Sequence, residues 1–271
     1  AAEIADRRNV PLHLIVHDDW PRVANVAPAF RNWLDKRFAS VYRQAQSRMC
    51  VSPAMSRNYQ LRYGAPAHTI YPSRAADCPQ YNEPPARLAS NDHAFTVAFA
   101  GTINSNGYIR ALVAMQEALK PAGGRLLIFG PTTSIEGLDN SSTEIRGLLP
   151  ATELLTTLRN EADALFVPMS FDAADRVNME MAFPSKLADY TATALPLIIY
   201  GPNYCSAVTW ARENEGVAAI AESESDLRNA VALLANNPDK RIALGKRALT
   251  VGREYFTHDR ARQVFHQSLS V

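Results

Sequence analysis

Phe183-Pro184-Ser185-Lys186-Leu187-Ala188-Asp189-Tyr190, running on to Leu195-Pro196-Leu197-Ile198-Ile199-Tyr200-Gly201-Pro202, is the stretch whose reading decides the fold. It predicts a loop, then a helix opening on Pro and Ser, then a short apolar strand stopped by Gly-Pro. Pro184 suits a first helical turn, where no backbone N–H is needed, and Ser185 is expected to cap the free donors there. Unpaired amides, the positive end of a helix and the ammonium of Lys186 would then converge on one spot that attracts phosphate. Asp189, about one turn beyond Ser185, is placed to accept hydrogen bonds from a ribose. A nucleotide diphosphate is the guest that this chemistry selects.

Read outward from there, the chain is α/β. Phe95 to Ala100 makes an apolar strand closed by Gly101-Thr102, and Arg125 to Phe129 makes another closed by Gly130. Ile145 to Leu149 reads as a strand end before Pro150, and Ala164 to Pro168 is a further apolar strand. From Phe95 to about Ala235 such strands alternate with helical stretches, the pattern of a doubly wound parallel sheet. Upstream, residues 12–16 read as a buried strand followed by the loop His17-Asp18-Asp19-Trp20-Pro21. A helix is predicted over 28–46, a strand over 48–51, a helix from Ser52-Pro53 to near Gly64, and a strand over 68–71. Residues 73–93, rich in Pro, Ala, Asn and Asp, read as a linker. Helices over 239–254 and 258–268 close the chain.

Composition narrows the function classes. A chain of 271 residues holds one large or two modest domains. Its 47% hydrophobic and 20% charged residues describe an ordinary globular protein. A formal charge of +1 gives no global pull toward nucleic acid or membrane. There is no apolar run of about 18 residues to span a bilayer. Cys50, Cys78 and Cys205 are odd in number and far apart, which suits a reducing cytoplasm and argues against a metal quartet. The start at Ala1-Ala2-Glu3 has neither an initiator Met nor a signal-peptide pattern, so the chain reads as beginning inside a larger unit.

The segments quoted above, in this order, resemble nucleotide-sugar glycosyltransferases of the GT-B fold, particularly the large retaining family 4. The stretch from Pro184 to Tyr190 resembles that family's P-S-K-L-x-E-Y signature. Residues 95–102 and 125–130 resemble its first two donor strands, and 147–154 with 162–168 resembles its G-x-(V/L)-P-x-x-E-L … A-D-x-x-x-x-P run. The likeness covers roughly residues 10–270. It implies two Rossmann-like domains with parallel sheets, the N-terminal one incomplete. Residues 1–88 would be a partial acceptor-side domain with the linker, 89–254 the donor domain, and 255–271 a helix crossing back. The implied activity is transfer of a sugar from a UDP- or GDP-sugar to a glycan, lipid or small-molecule acceptor, as in polysaccharide biosynthesis. The resemblance further implies retention at the anomeric carbon, no metal and no cofactor, while the cysteines and the net charge point to a cytoplasmic location and no nucleic-acid partner. A lipid-linked acceptor would bring the chain to a membrane peripherally.

The resemblance also implies roles for residues. His17 would face the donor sugar and diphosphate, with bracing of its own loop by Asp18 or Asp19 as the competing reading. The donor site would comprise Gly101, Thr102, Leu148, Leu149, Pro184, Ser185, Lys186, Leu187 and Asp189. Leu148 and Leu149 would offer backbone groups to the base, or be core. The chain departs from the pattern at two places. Where many members carry an Arg and a Lys beside the glycine turn, it has Thr102 and Asn106, with Arg110 further into the helix. Lys186 is then the leading cation and Arg176, in a polar loop over 171–183, the second. The partner of the carboxylate that Asp189 matches would fall on Met181, with Glu180 one place away. Adjacent Asp18 and Asp19 point to opposite sides of an extended chain, which disfavours a metal. These departures leave an alternative: a degenerate GT-B-like subunit that binds a nucleotide or a partner without turnover.

Overall fold

The computed structural model describes residues 2–103 and 105–270. Its first part runs α1 (Ala2–Arg8), β1 (His13–Val16), α2 (Trp20–Val23), α3 (Pro28–Gln44), β2 (Ser47–Cys50), α4 (Pro53–Tyr63) and β3 (His68–Thr69). After the linker come β4 (Thr96–Ala100), α5 (Asn106–Leu119), β5 (Arg125–Phe129), β6 (Thr143–Ile145), α6 (Ala151–Glu161) and β7 (Ala164–Pro168). They are followed by α7 (Arg176–Met181), α8 (Lys186–Tyr190), β8 (Leu197–Tyr200), α9 (Ser206–Glu213) and β9 (Ala218–Ala221). The chain ends with α10 (Glu224–Asn236), α11 (Pro238–Tyr255) and α12 (His258–Leu269).

Local chemistry sets the boundaries. Ser52 caps α4 by accepting the Met55 N–H at 3.0 Å, and Gly64, at φ +74°, ends the helix in the left-handed region. Asn237 and Thr257 cap α11 and α12 in the same way. The second sheet has the order β6-β5-β4-β7-β8-β9, every pairing parallel. Helices cover both faces, so β4, β7 and β8 are buried along their whole length and read as continuous apolar runs. The order reverses between β4 and β7, leaving a crevice at their carboxyl ends.

The first sheet is small, β1-β2-β3, also parallel. Here one expectation fails. The run 12–16 reads as a buried strand, but β1 is a sheet edge and Ile15 stays 40% exposed. Trp20 and Val23 beside it are exposed as well. The stretch 171–183 also differs from the predicted loop, since it holds a 3-10 turn over Ala173–Asp175 and then α7.

One apolar core joins the two sheets. It runs from Tyr42, Met55 and Tyr59 through Phe183 to Trp210 and Phe256. α12 returns onto β2 and β3. At the seam Tyr71 meets Phe183 edge-on with centroids 4.8 Å apart, and Phe256 meets Trp210 at 5.4 Å. The linker, lacking strands, is pinned by charged groups. Arg241, 1% exposed, donates to the carbonyls of Leu88 and Ser90, and buried Asp163 accepts from Arg87 and His93.

Candidate functional site

A cavity of about 500 Å³ opens at the carboxyl ends of β4, β5 and β7. Its floor is the turn after β4. Gly101 has φ +147°, a conformation that favours glycine, and its N–H bonds to Phe129 O at 2.9 Å. Gly130 is packed against the same turn, where a Cβ would lie 2.4 Å from Gly101 O. The Gly130 N–H reaches Gly147 O at 2.9 Å, which brings Leu148 and Leu149 to the rim. Two strand ends and a loop are thus drawn together by backbone alone.

The fourth wall is the motif segment. Tyr190 is fully enclosed, and its hydroxyl accepts the Ala100 N–H at 2.6 Å and lies 3.2 Å from Ala100 O, tying α8 to the end of β4. Lys186 thereby hangs its ammonium over Gly101 and over the Phe99 ring, 4.1 Å from the centroid. No carboxylate pairs with it among the described residues. Burial alone pushes its pKa down from 10.5 to about 7. Asp189 lines the same cavity. Its surroundings raise its pKa by desolvation, against the opposing charge of Arg74. A half-buried cation without an ion-pair partner among the described residues, above a glycine turn in a cavity that Asp189 also lines, is an arrangement that an anionic, hydroxyl-bearing ligand completes.

Of the residues singled out from sequence, Gly101, Thr102, Leu148, Leu149, Pro184, Ser185, Lys186 and Asp189 line this cavity. Leu148 is 72% exposed, so it is a rim residue and not core. Four others require correction. Leu187 is fully buried in the core, because the residue after Lys186 turns about 100° round the helix. Arg176 and Glu180, one turn apart on α7, pair with each other at 2.8 Å, and Arg176 lies over the Tyr204 ring. Asn106 is an exposed first residue of α5, outside the lining. Ser185 does not act as a cap: it has helical dihedrals and makes no side-chain cap bond. Leu187 N–H and Ala188 N–H bond to Pro184 O and Ser185 O, which leaves the amides of Ser185 and Lys186 without backbone partners among the described residues. Arg110 is held by Asp172.

His17 follows β1, is exposed, and forms no hydrogen bond among the described residues. It does not line the cavity. α2, just beyond it, packs on α7, the helix that contributes Asn178 and Met179 to one wall. Asp19 does not brace His17. It is fully buried, accepts from Tyr59 Oη at 2.9 Å and pairs with Arg62 at 3.0 Å. The sequence reading missed Tyr108 and Asn178 as lining residues. Tyr108 is the third residue of α5, in the first turn of the helix that follows the glycine turn, and that position could have marked it. Asn178 carried no signal, because its stretch did not read as a helix.

No protein-family model matches the chain, and no curated protein matches it by sequence. Solved structures do. The chain is similar to HepE of Anabaena crystallised with UDP and glucose, with 13% identity and a TM-score of 0.71, covering 99% of this chain and 74% of HepE. It is similar to sucrose-phosphate synthase of Thermosynechococcus elongatus, with 17% identity and a TM-score of 0.69, over 99% of this chain and 70% of that one. A TarM variant of S. aureus, solved with fondaparinux, a GlcNAc-glycerol and UDP, matches with 11% identity and a TM-score of 0.71, over 97% of this chain and 52% of TarM. At these identities the likeness establishes the fold: the chain has the parallel two-sheet GT-B architecture, with a small first sheet.

Proposed function

We propose that this protein is a glycosyltransferase that moves a sugar from a nucleotide-diphosphate sugar to an acceptor. The observation that carries the reading is the unpaired Lys186 ammonium above the Gly101 turn, inside a cavity at the switch point of the second sheet. The fold's solved relatives that hold UDP support it. In this reading the diphosphate lies between Lys186 and the free amides of Ser185 and Lys186, with Thr102 beside it. The base lies along 147–149, and Asp189 accepts hydroxyl protons. Lys186 acts on the departing diphosphate: negative charge grows on the leaving oxygen as the glycosidic bond breaks, and a fixed cation stabilises that state more than the ground state. Retention, metal independence and a glycan, lipid or small-molecule acceptor belong to the proposal through the family resemblance. Membrane contact would follow from a lipid-linked acceptor.

The test is release of free nucleoside diphosphate from UDP- and GDP-sugars in the presence of candidate acceptors, with and without EDTA. Turnover that survives EDTA is expected. Loss of all turnover in EDTA would remove the metal-independent part. A second reading, binding without turnover, is favoured by one observation. Lys186 is the sole cationic side chain lining the cavity among the described residues, since Arg110 and Arg176 are held by Asp172 and Glu180. Tight UDP binding with no release of diphosphate from any donor would select it.

A further inference from the structure

Arg74 opens the linker between the two sheets, yet it is only 4% exposed. Its backbone N–H bonds to Phe256 O at 2.9 Å, the point where the chain crosses back to the first sheet. Its side chain runs inward. Nε donates to Ala188 O at 2.8 Å and Nη2 to Thr191 Oγ1 at 2.9 Å. Thr191 in turn donates to Leu187 O at 2.8 Å. The slot is shaped for the guanidinium: at Gly252 on α11 a Cβ would stand 2.3 Å from Nη2 and 2.3 Å from Thr191 Oγ1. No carboxylate lies within ion-pair distance of Arg74 among the described residues. A buried guanidinium without a paired anion is unfavourable, and an apolar side chain would serve mere packing better. What it gains is the far end of α8, the helix that carries Lys186 and Asp189.

We propose that Arg74 is a positioning residue for nucleotide-sugar binding, bracing the last turn of α8 from the linker so that Lys186 and Asp189 meet one ligand together. The inference rests on the donor-site reading. Charge adds to position. Asp189 is raised by desolvation, and Arg74 is the charge that opposes this. The other groups around the pair are Cys78 on the linker, Tyr190 on α8, and Arg253 on α11, which faces Arg74. Removing Arg74 therefore lets Asp189 keep its proton to higher pH.

The experiment measures UDP-glucose binding by calorimetry across about pH 5–9 for the full chain and for Arg74→Met, Arg74→Lys and Thr191→Val, with thermal melts alongside. Arg74→Met is expected to lose about ten-fold in affinity at neutral pH, the scale of charge-assisted hydrogen bonds. Its affinity should also begin to fall on acidification at a higher pH than in the wild type. Arg74→Lys keeps the charge without the two-point fit, so it should retain the wild-type acid limb and lose less. Thr191→Val, which removes one contact, should fall between the wild type and Arg74→Met. Should Arg74→Met not fold, Arg74→Lys and Thr191→Val decide the question. Lower melting temperatures with unchanged affinity and an unmoved acid limb would show a purely structural arginine and overturn the inference, leaving the donor site intact. A wild type that binds no UDP-glucose would instead remove the donor-site reading.

Discussion

Lys186 concentrates the site's physics in one side chain. It is held over Phe99 and Gly101 with no anion among the described residues, and burial has taken its pKa down to about 7. A lowered lysine pKa means that the unfolded chain keeps its proton up to near 10.5 while the folded chain releases it near 7. The unfolded state binds more protons in that window, so stability rises with pH between the two values and the penalty is fully present below 7. Lys186→Met should therefore be the more stable protein at pH 6, by up to about 5 kcal/mol, the free-energy equivalent of the fall from 10.5 to about 7, with the gap closing by about pH 10. Urea denaturation of both proteins at the two pH values checks this, and a variant less stable than wild type at pH 6 would contradict it. Binding should run the opposite way. The pyrophosphate of a nucleotide sugar has no proton to lose near neutrality, so it selects the charged lysine, and affinity should fall as pH rises above 7. The same substitution should cost about ten-fold or more in diphosphate affinity, as a charge-assisted contact is worth roughly 1.5–3 kcal/mol. Nucleoside affinity should hardly change, and equal diphosphate affinity in both proteins would take Lys186 out of the site.

At the scale of elements, the site depends on how α8 is fixed to β4. Tyr190 Oη serves both the N–H and the carbonyl of Ala100 in a fully buried place. Tyr190→Phe leaves those backbone groups unpaired and should destabilise by about 1–3 kcal/mol. Chemical denaturation measures it, and a neutral result would show that water replaces the hydroxyl. Much of this framework was legible. β4, β5, β7 and β8 announce themselves as apolar runs closed by Gly or Pro, because a parallel strand covered on both faces has no polar side to show. Ser52 and Gly64 marked both ends of α4 through capping chemistry. The rest was hidden for physical reasons. The pairing of Arg176 with Glu180 needed knowledge that 176–181 is helical, since only then do residues one turn apart meet. The exposure of Ile15 depends on which strand lies at the edge of the sheet, a property of topology that no local pattern carries. Leu187 and Lys186 are neighbours in sequence, and only the helix's rotation sends one to the core and the other to the ligand.

Over the whole molecule, the question is whether the two sheets behave as one cooperative unit. The core is continuous across the seam, and both chain crossings meet there: Tyr71 from the first and Phe256 from the second, against Phe183 and Trp210. Ser52 adds a bond from the cap of α4 to Met181 O at 2.6 Å, so the first sheet grips the segment just before the motif. Phe183 packs in this seam and Pro184 lines the cavity, so the seam and the donor site share one stretch of backbone. Such a shared core predicts coincident unfolding of both halves. Tryptophan fluorescence can follow the seam, because Trp210 is buried there while Trp20 and Trp33 are exposed in the fold, with far-UV circular dichroism reporting on the helices of both parts. In the wild type the fluorescence and dichroism midpoints should agree. Phe256→Ala empties a fully buried ring from the seam's centre and should cost about 3–5 kcal/mol. It also removes what couples the halves, so the two midpoints should separate, with the small first sheet melting before the six-stranded one. Nucleotide affinity should weaken in step with that early transition, because Phe183 loses one of its packing partners while Gly101 and Gly130 keep theirs. Two resolved transitions already in the wild type would show that the seam is a contact between independent units, and that the donor site forms without it.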